Sequence, residues 1–207
     1  MHLTLDLVRP TARASRLGVV AGGPVTGLAL LVFLSFLEHP MALLLVLVGL
    51  LMVIPVGYLF DDPAADVLAA SPFDLARRRL TRLALGMPVV IAGWLLALRQ
   101  GSFLDGYDAL PVGALTVEIA AFAAFTLAVA AVAARRGDHA PGISAAAGLF
   151  VMVALLFVAR QALPSAWPIP ELQPNTHADR WRWVLAASLA VLAWASRDPA
   201  SRRPPRR

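Results

Sequence analysis

Long, almost unbroken apolar runs separated by short clusters of charge dominate the chain. The first run, Leu17 to Phe60, is too long for one membrane crossing of about 20 residues. Glu38, His39 and Pro40 interrupt it as a tight turn, which predicts a first span at 17–37 and a second at 41–60. Charge then crowds from Asp61 to Arg82, and a short third span follows at 83–98, with Arg82 and Arg99 placed to snorkel at its ends. An Ala-rich fourth span is predicted at 111–134, a fifth at 142–159 and a sixth at 181–195.

The expected fold is therefore an all-α integral membrane protein of six transmembrane helices. A single transmembrane domain would cover 1–198, with a disordered, basic, Pro-rich tail at 199–207. Arg9, Arg13 and Arg16 precede the first apolar stretch in the manner of a leader. That stretch, however, runs about 20 residues directly into a second span, where a leader has about 7 to 15 and a cleavage site. It is expected to remain as a helix.

Arginine placement predicts orientation, because positively charged loops stay on the cytoplasmic side. Counting alternate loops puts fourteen Arg on the side of both termini and four, Arg99, Arg160, Arg180 and Arg182, on the other. Six spans in a cytoplasmic membrane with both termini inside satisfy this bias. Trp181, Trp183 and Trp194 are expected to anchor the sixth helix at the headgroup layers. In the preceding outer segment, Pro164, Pro168, Pro170 and Pro174 around Trp167 argue against one continuous helix through 161–180.

Composition sharpens this picture. The 207 residues are 59% hydrophobic and 15% charged, with a mean hydropathy of +0.72. There is no Cys, which excludes disulfides, thiolate metal sites and cysteine nucleophiles. All 18 basic residues are Arg, so the Lys of a phosphate-binding P-loop is missing and ATP hydrolysis of that kind is excluded. His2, His39, His139 and His177 are scattered and predict no metal site. Asp61, Asp62 and Asp66 lack the further Asp and Gly residues of a cation-dependent lipid-synthesis motif, and helix capping explains them. No span pairs a Ser with a His or Lys, no cofactor is expected, and the chain is not expected to be an enzyme or to bind nucleic acid.

The segment DDPAADVLAASPFDLARRRLTR, 61–82, is the most informative. Asp62 before Pro63, and Ser71 and Pro72 before Asp74, are two helix-start signals, so two short helices are expected. Val67, Leu68, Phe73, Leu75 and Leu80 would form an apolar face that either lies on the membrane or enters a partner's groove. Its length favours a partner, since a plain turn needs roughly 2 to 8 residues.

DDPAADVLAASP followed by the Arg cluster, set between the second and third of six short spans, resembles the small permease subunits of actinobacterial ABC transporters, broadly the ABC-2 type exporters. The resemblance implies a coupling helix resting on a separate ATP-binding-cassette subunit, with Asp61, Asp62, Asp66, Leu68, Phe73, Asp74, Leu75, Arg77 and Arg78 at the contact. It also implies a second permease subunit and an outer re-entrant element between the fifth and sixth spans. The chain would export a hydrophobic or amphipathic substrate. The alternative is an accessory or assembly subunit of a larger membrane complex that transports nothing itself.

Gly18 with Gly22, and Gly23 with Gly27, form GxxxG strips on the first span, and Ala120, Ala124, Ala128 and Ala131 form a similar strip on the fourth. Packing inside the bundle is favoured over a dimer interface. Pro24, Pro55 and Pro88 predict kinks. Glu118 near the outer end of the fourth span is costly in lipid, with Arg99 or Arg160 as the expected partner. A structural ion pair or a neutral carboxyl is favoured there over a proton or substrate relay.

Overall fold

The structure, a computed structural model, describes residues 17–36, 41–61, 75–105, 110–162 and 174–196. All regular structure among them is helical: α1 (Leu17–Leu34), α2 (Met41–Val53), a 3₁₀ segment (Ile54–Phe60), α3 (Leu75–Asp105), α4 (Val112–Arg135), α5 (Pro141–Ala162) and α6 (Pro174–Ala195). Four segments are long and apolar enough to cross a membrane: Ala42–Phe60, Arg79–Phe103, Val112–Arg135 and Pro141–Ala159. Gly18–Leu34 is a shorter apolar helix. Helix is the physical outcome for such sequences, because in hydrocarbon every backbone N–H and C=O must bond within its own segment.

α2 is apolar on every side, and Leu44, Leu45, Val48, Met52 and Val53 are all fully buried. Pro55 ends its α-helical bonding, since proline has no N–H to donate to the preceding turn. The chain tightens into a seven-residue 3₁₀ segment, well beyond the usual three or four. Gly57 lets this segment approach α5 closely, because a Cβ there would sit 2.7 Å from Ala145 Cβ.

The helices alternate in direction. α2 and α3 are antiparallel, with Leu45 beside Gly101, Leu59 beside Gly86 and Asp61 joined to Arg82. α4 runs parallel to α2, with Ile119 against Gly49 and Thr126 against Gly57. α4 and α6 run parallel along their length: Phe122 meets Trp181, and Arg135 meets Trp194 at the same offset of 59 positions. Ala121, Ala124, Ala128 and Ala131 are buried on α4 and give its neighbours a close approach. α1, α2 and α3 pack together, α5 and α6 each pack against α4, and the two halves join through α2 and the 3₁₀ segment on one side and α4 and α5 on the other.

The α4–α5 turn is built from local chemistry. Gly137 takes a positive φ of 84°, and the N–H groups of Asp138 and Gly137 bond to the carbonyls of Ala133 and Ala134. This double closure of a helix C-terminus requires a left-handed residue, which glycine adopts without steric cost.

Three sequence expectations are corrected. The helix expected after Ser71 is not a separate element: from Leu75 onward it is continuous with the third span, as α3 runs unbroken to Asp105. Arginines are good helix formers and do not interrupt it. The sixth helix already includes residues 174–180, ahead of the expected start at 181. Trp181 is 7% exposed, with its ring 4.9 Å from that of Phe122, so it packs the bundle core and is not an anchor at the surface. Trp183 and Trp194 are exposed. Pro24 and Pro88 lie inside continuous helices, and Gly93 makes room for Pro24.

Candidate functional site

The most developed polar arrangement lies where α2, α3 and α5 meet. Asp61 follows the 3₁₀ segment and is 4% exposed, and Arg82 in α3 is 2% exposed. Arg82 Nη1 donates to the Asp61 carbonyl at 2.7 Å. The backbone N–H of Gly142 donates to Asp61 Oδ1 at 2.7 Å, across 81 positions of sequence. Gly142 stands in the first turn of α5, so the Asp61 carboxylate caps a helix from another part of the chain. Such a cap satisfies an N–H with no partner in its own helix and places negative charge at the positive end of the dipole.

Asp61 and Arg82 stand on either side of the segment 62–74; Arg82 is bonded to Asp61, and Asp61 in turn to the start of α5. Arg79, one turn earlier on α3, sets its guanidinium 5.3 Å from the centre of the Phe60 ring. A Cβ on Gly142 would lie 2.9 Å from the Cα of Tyr58, so only glycine lets α5 begin so close to the 3₁₀ backbone. On the other side of the same turn, Asp138 accepts from the Ala140 N–H at 2.9 Å and from the Ser144 hydroxyl. These bonds, that of Ser144 first, hold its carboxyl below the ordinary value of 3.8. Arg135 closes the far edge, donating to the Trp194 carbonyl at 2.9 Å with its guanidinium 4.5 Å from the indole centre.

Of the residues expected at a coupling contact, Asp61 is found in this junction. Asp62, Asp66, Leu68, Phe73 and Asp74 lie outside the described residues. Leu75, Arg77 and Arg78 belong to the first turn of α3, their side chains again outside the description. Sequence reasoning missed Gly142, and it placed Arg82 at a membrane surface where the structure buries it. A local signal existed for Arg82: an arginine at the boundary of an apolar run, opposite an aspartate at the end of the previous one.

Glu118 is 1% exposed on α4, and no donor among the described residues reaches its Oε1. The expected pairing with Arg99 is not formed: Arg99 is exposed on α3. The Arg160 side chain lies outside the described residues. The glycine strips divide. Gly23 and Gly27 pack against Pro55 and Met52, whereas nothing lies within 4 Å of where a Cβ would stand on Gly18 or Gly22. Among the described residues no group of three or more His, Cys, Asp or Glu could hold a metal ion.

Between the two halves lies an apolar cleft of about 330 Å³, walled by α3, α4 and α6, with Ile91, Trp94, Leu95, Ile119, Leu185 and Leu189 among its lining. Trp94 Nε1 donates to Thr116 Oγ1 at 3.3 Å and bridges α3 to α4. No protein-family model, curated protein or solved structure matches the chain.

Proposed function

We propose that this chain is the membrane-embedded permease subunit of an ATP-driven, ABC-type transporter. It crosses the cytoplasmic membrane six times with both termini inside, and the 61–82 loop docks to a separate ATP-binding subunit. The observation that carries the reading is the Asp61–Arg82–Gly142 junction. Because Asp61 is bonded both to Arg82 of α3 and to Gly142 of α5, a force at this junction acts on three elements together: the 3₁₀ end of α2, α3 and the start of α5. A plain connecting turn has no need of buried charge at both ends, which is expensive to desolvate.

In this mechanism closure of the ATP-binding subunits displaces the segment, and the junction passes the displacement to helices on both sides of the bundle. The chain supplies the path, and its partner supplies the hydrolysis. The apolar cleft between the halves suits a hydrophobic or amphipathic substrate, and a second permease subunit would complete the assembly. The open Gly18–Gly22 strip offers a seat for a helix of such a partner. That strip equally fits a second reading, an accessory subunit that packs against a larger membrane complex.

Purification of a tagged chain from its native membrane tests the proposal. A stoichiometric ATPase is expected in the eluate, and replacing Phe73 and Leu75 with Asp should detach it while membrane insertion is kept. Recovery of other membrane chains with no ATPase would establish the accessory reading instead. Tags at Met1 and Arg207 should both be accessible from the cytoplasmic side, and their appearance on opposite sides would overturn the six-pass layout.

A further inference from the structure

The cleft between the halves is an elongated, almost wholly apolar slot. Its volume of about 330 Å³ extends along α4 from Thr116 to Leu127, roughly 16 Å at about 1.5 Å per residue. An extended acyl chain can lie along an apolar slot of that length.

Charge stands at one end of it. On α3 the cleft residues Ile91 and Leu95 are followed at the next helical turn by Arg99, on the same face. Arg99 is exposed, about 6 Å beyond Leu95 along the helix, and has no ion-pair partner among the described residues. On the facing wall Arg182 precedes Leu185 by one turn, but Asp179 already neutralises it at 2.7 Å. The cleft thus joins an apolar slot to a cation at its mouth that is unpaired among the described residues.

We propose that the cleft binds one anionic phospholipid, with an acyl chain between α3 and α4 and the phosphate at Arg99. The site belongs to this chain alone and does not rest on the transport reading, so recovery of an ATPase has no bearing on it. Native mass spectrometry of the delipidated protein, titrated with phosphatidylglycerol or with phosphatidylcholine of the same acyl chains, tests it. One equivalent of phosphatidylglycerol should be retained with a preference of roughly fivefold or more, the contribution expected of one arginine. Arg99→Gln should abolish the preference, Arg99→Lys should keep it, and Arg136→Gln, away from the cleft, should leave it unchanged. Ala120→Phe or Ile91→Trp, each filling the slot from a different wall, should remove the single tight equivalent. Equal retention of the two lipids, a preference that survives Arg99→Gln, or undiminished binding in both filled variants would each overturn the proposal.

Discussion

Replacing Asp61 with Ala is the most direct probe of the junction. The substitution removes the acceptor of the Gly142 N–H, a buried 2.7 Å bond, and leaves the Arg82 bond to the Asp61 backbone carbonyl available. Loss of a helix cap costs about 0.5–2 kcal/mol, and stranding a buried donor costs about 1–3 kcal/mol. These describe the same lost bond and are not summed, so the expected loss is about 2–3 kcal/mol. Asp61→Asn keeps an acceptor oxygen but gives up the charge at the helix N-terminus, so its expected cost is smaller, about 1 kcal/mol. The assay is equilibrium unfolding in mixed micelles with increasing SDS, followed by far-ultraviolet circular dichroism. Hydrogen exchange at the start of α5 supplies the local readout, and protection there should fall in the Ala variant first. Stability of Asp61→Ala within about 0.5 kcal/mol of the parent, the range of ordinary surface changes, would show that the Asp61 carboxylate does not cap α5. So would an Asn variant as unstable as the Ala one.

Other substitutions test the packing and the remaining polar groups. Gly23→Leu should destabilise the bundle by about 1–3 kcal/mol, because a Cβ there meets Pro55 Cγ at 2.6 Å and the Leu51 carbonyl at 3.0 Å. Gly22→Leu should be neutral in the same SDS titration, having open space around it. Glu118→Met should raise stability by about 1–2 kcal/mol by removing a buried polar atom with no donor, and a loss of that size would show that the carboxyl has a structural partner. For Asp138 the folded carboxyl titrates below its unfolded value, so its contribution is present above the unfolded value and is lost as pH falls through the folded one. Ser144→Ala should raise its titration toward 3.8, read from the carboxyl carbon shift of Asp-labelled protein, and an unchanged midpoint would contradict the assigned cause.

Much of the helical framework is legible from residue order, and the exceptions have identifiable causes. α4 and α5 begin within one residue of the expected 111 and 142, and α2 starts at the expected 41, because a sustained apolar run in hydrocarbon has helix as its outcome wherever it occurs. α3 and α6 extend past their apolar runs. Their added turns carry Arg, Asp and His, which lower hydropathy without opposing helix, so hydropathy alone marks the lipid-facing stretch and not the end of hydrogen bonding.

Lipid as solvent, the absence of thiol chemistry and the helical class follow from composition and pattern alone, since these depend on how each segment meets its surroundings. Tertiary structure decided which groups converge. Asp61 carries a local helix-start signal beside it, yet its carboxylate serves a helix 81 positions away. Trp181 has the makings of a surface anchor, yet it is packed against Phe122. The two glycine strips of α1 are alike in sequence, and only the position of α2 makes one of them buried and leaves the other open. Each of these outcomes depends on distances between segments, which are set by how the helices cross and not by the spacing of residues within any one of them.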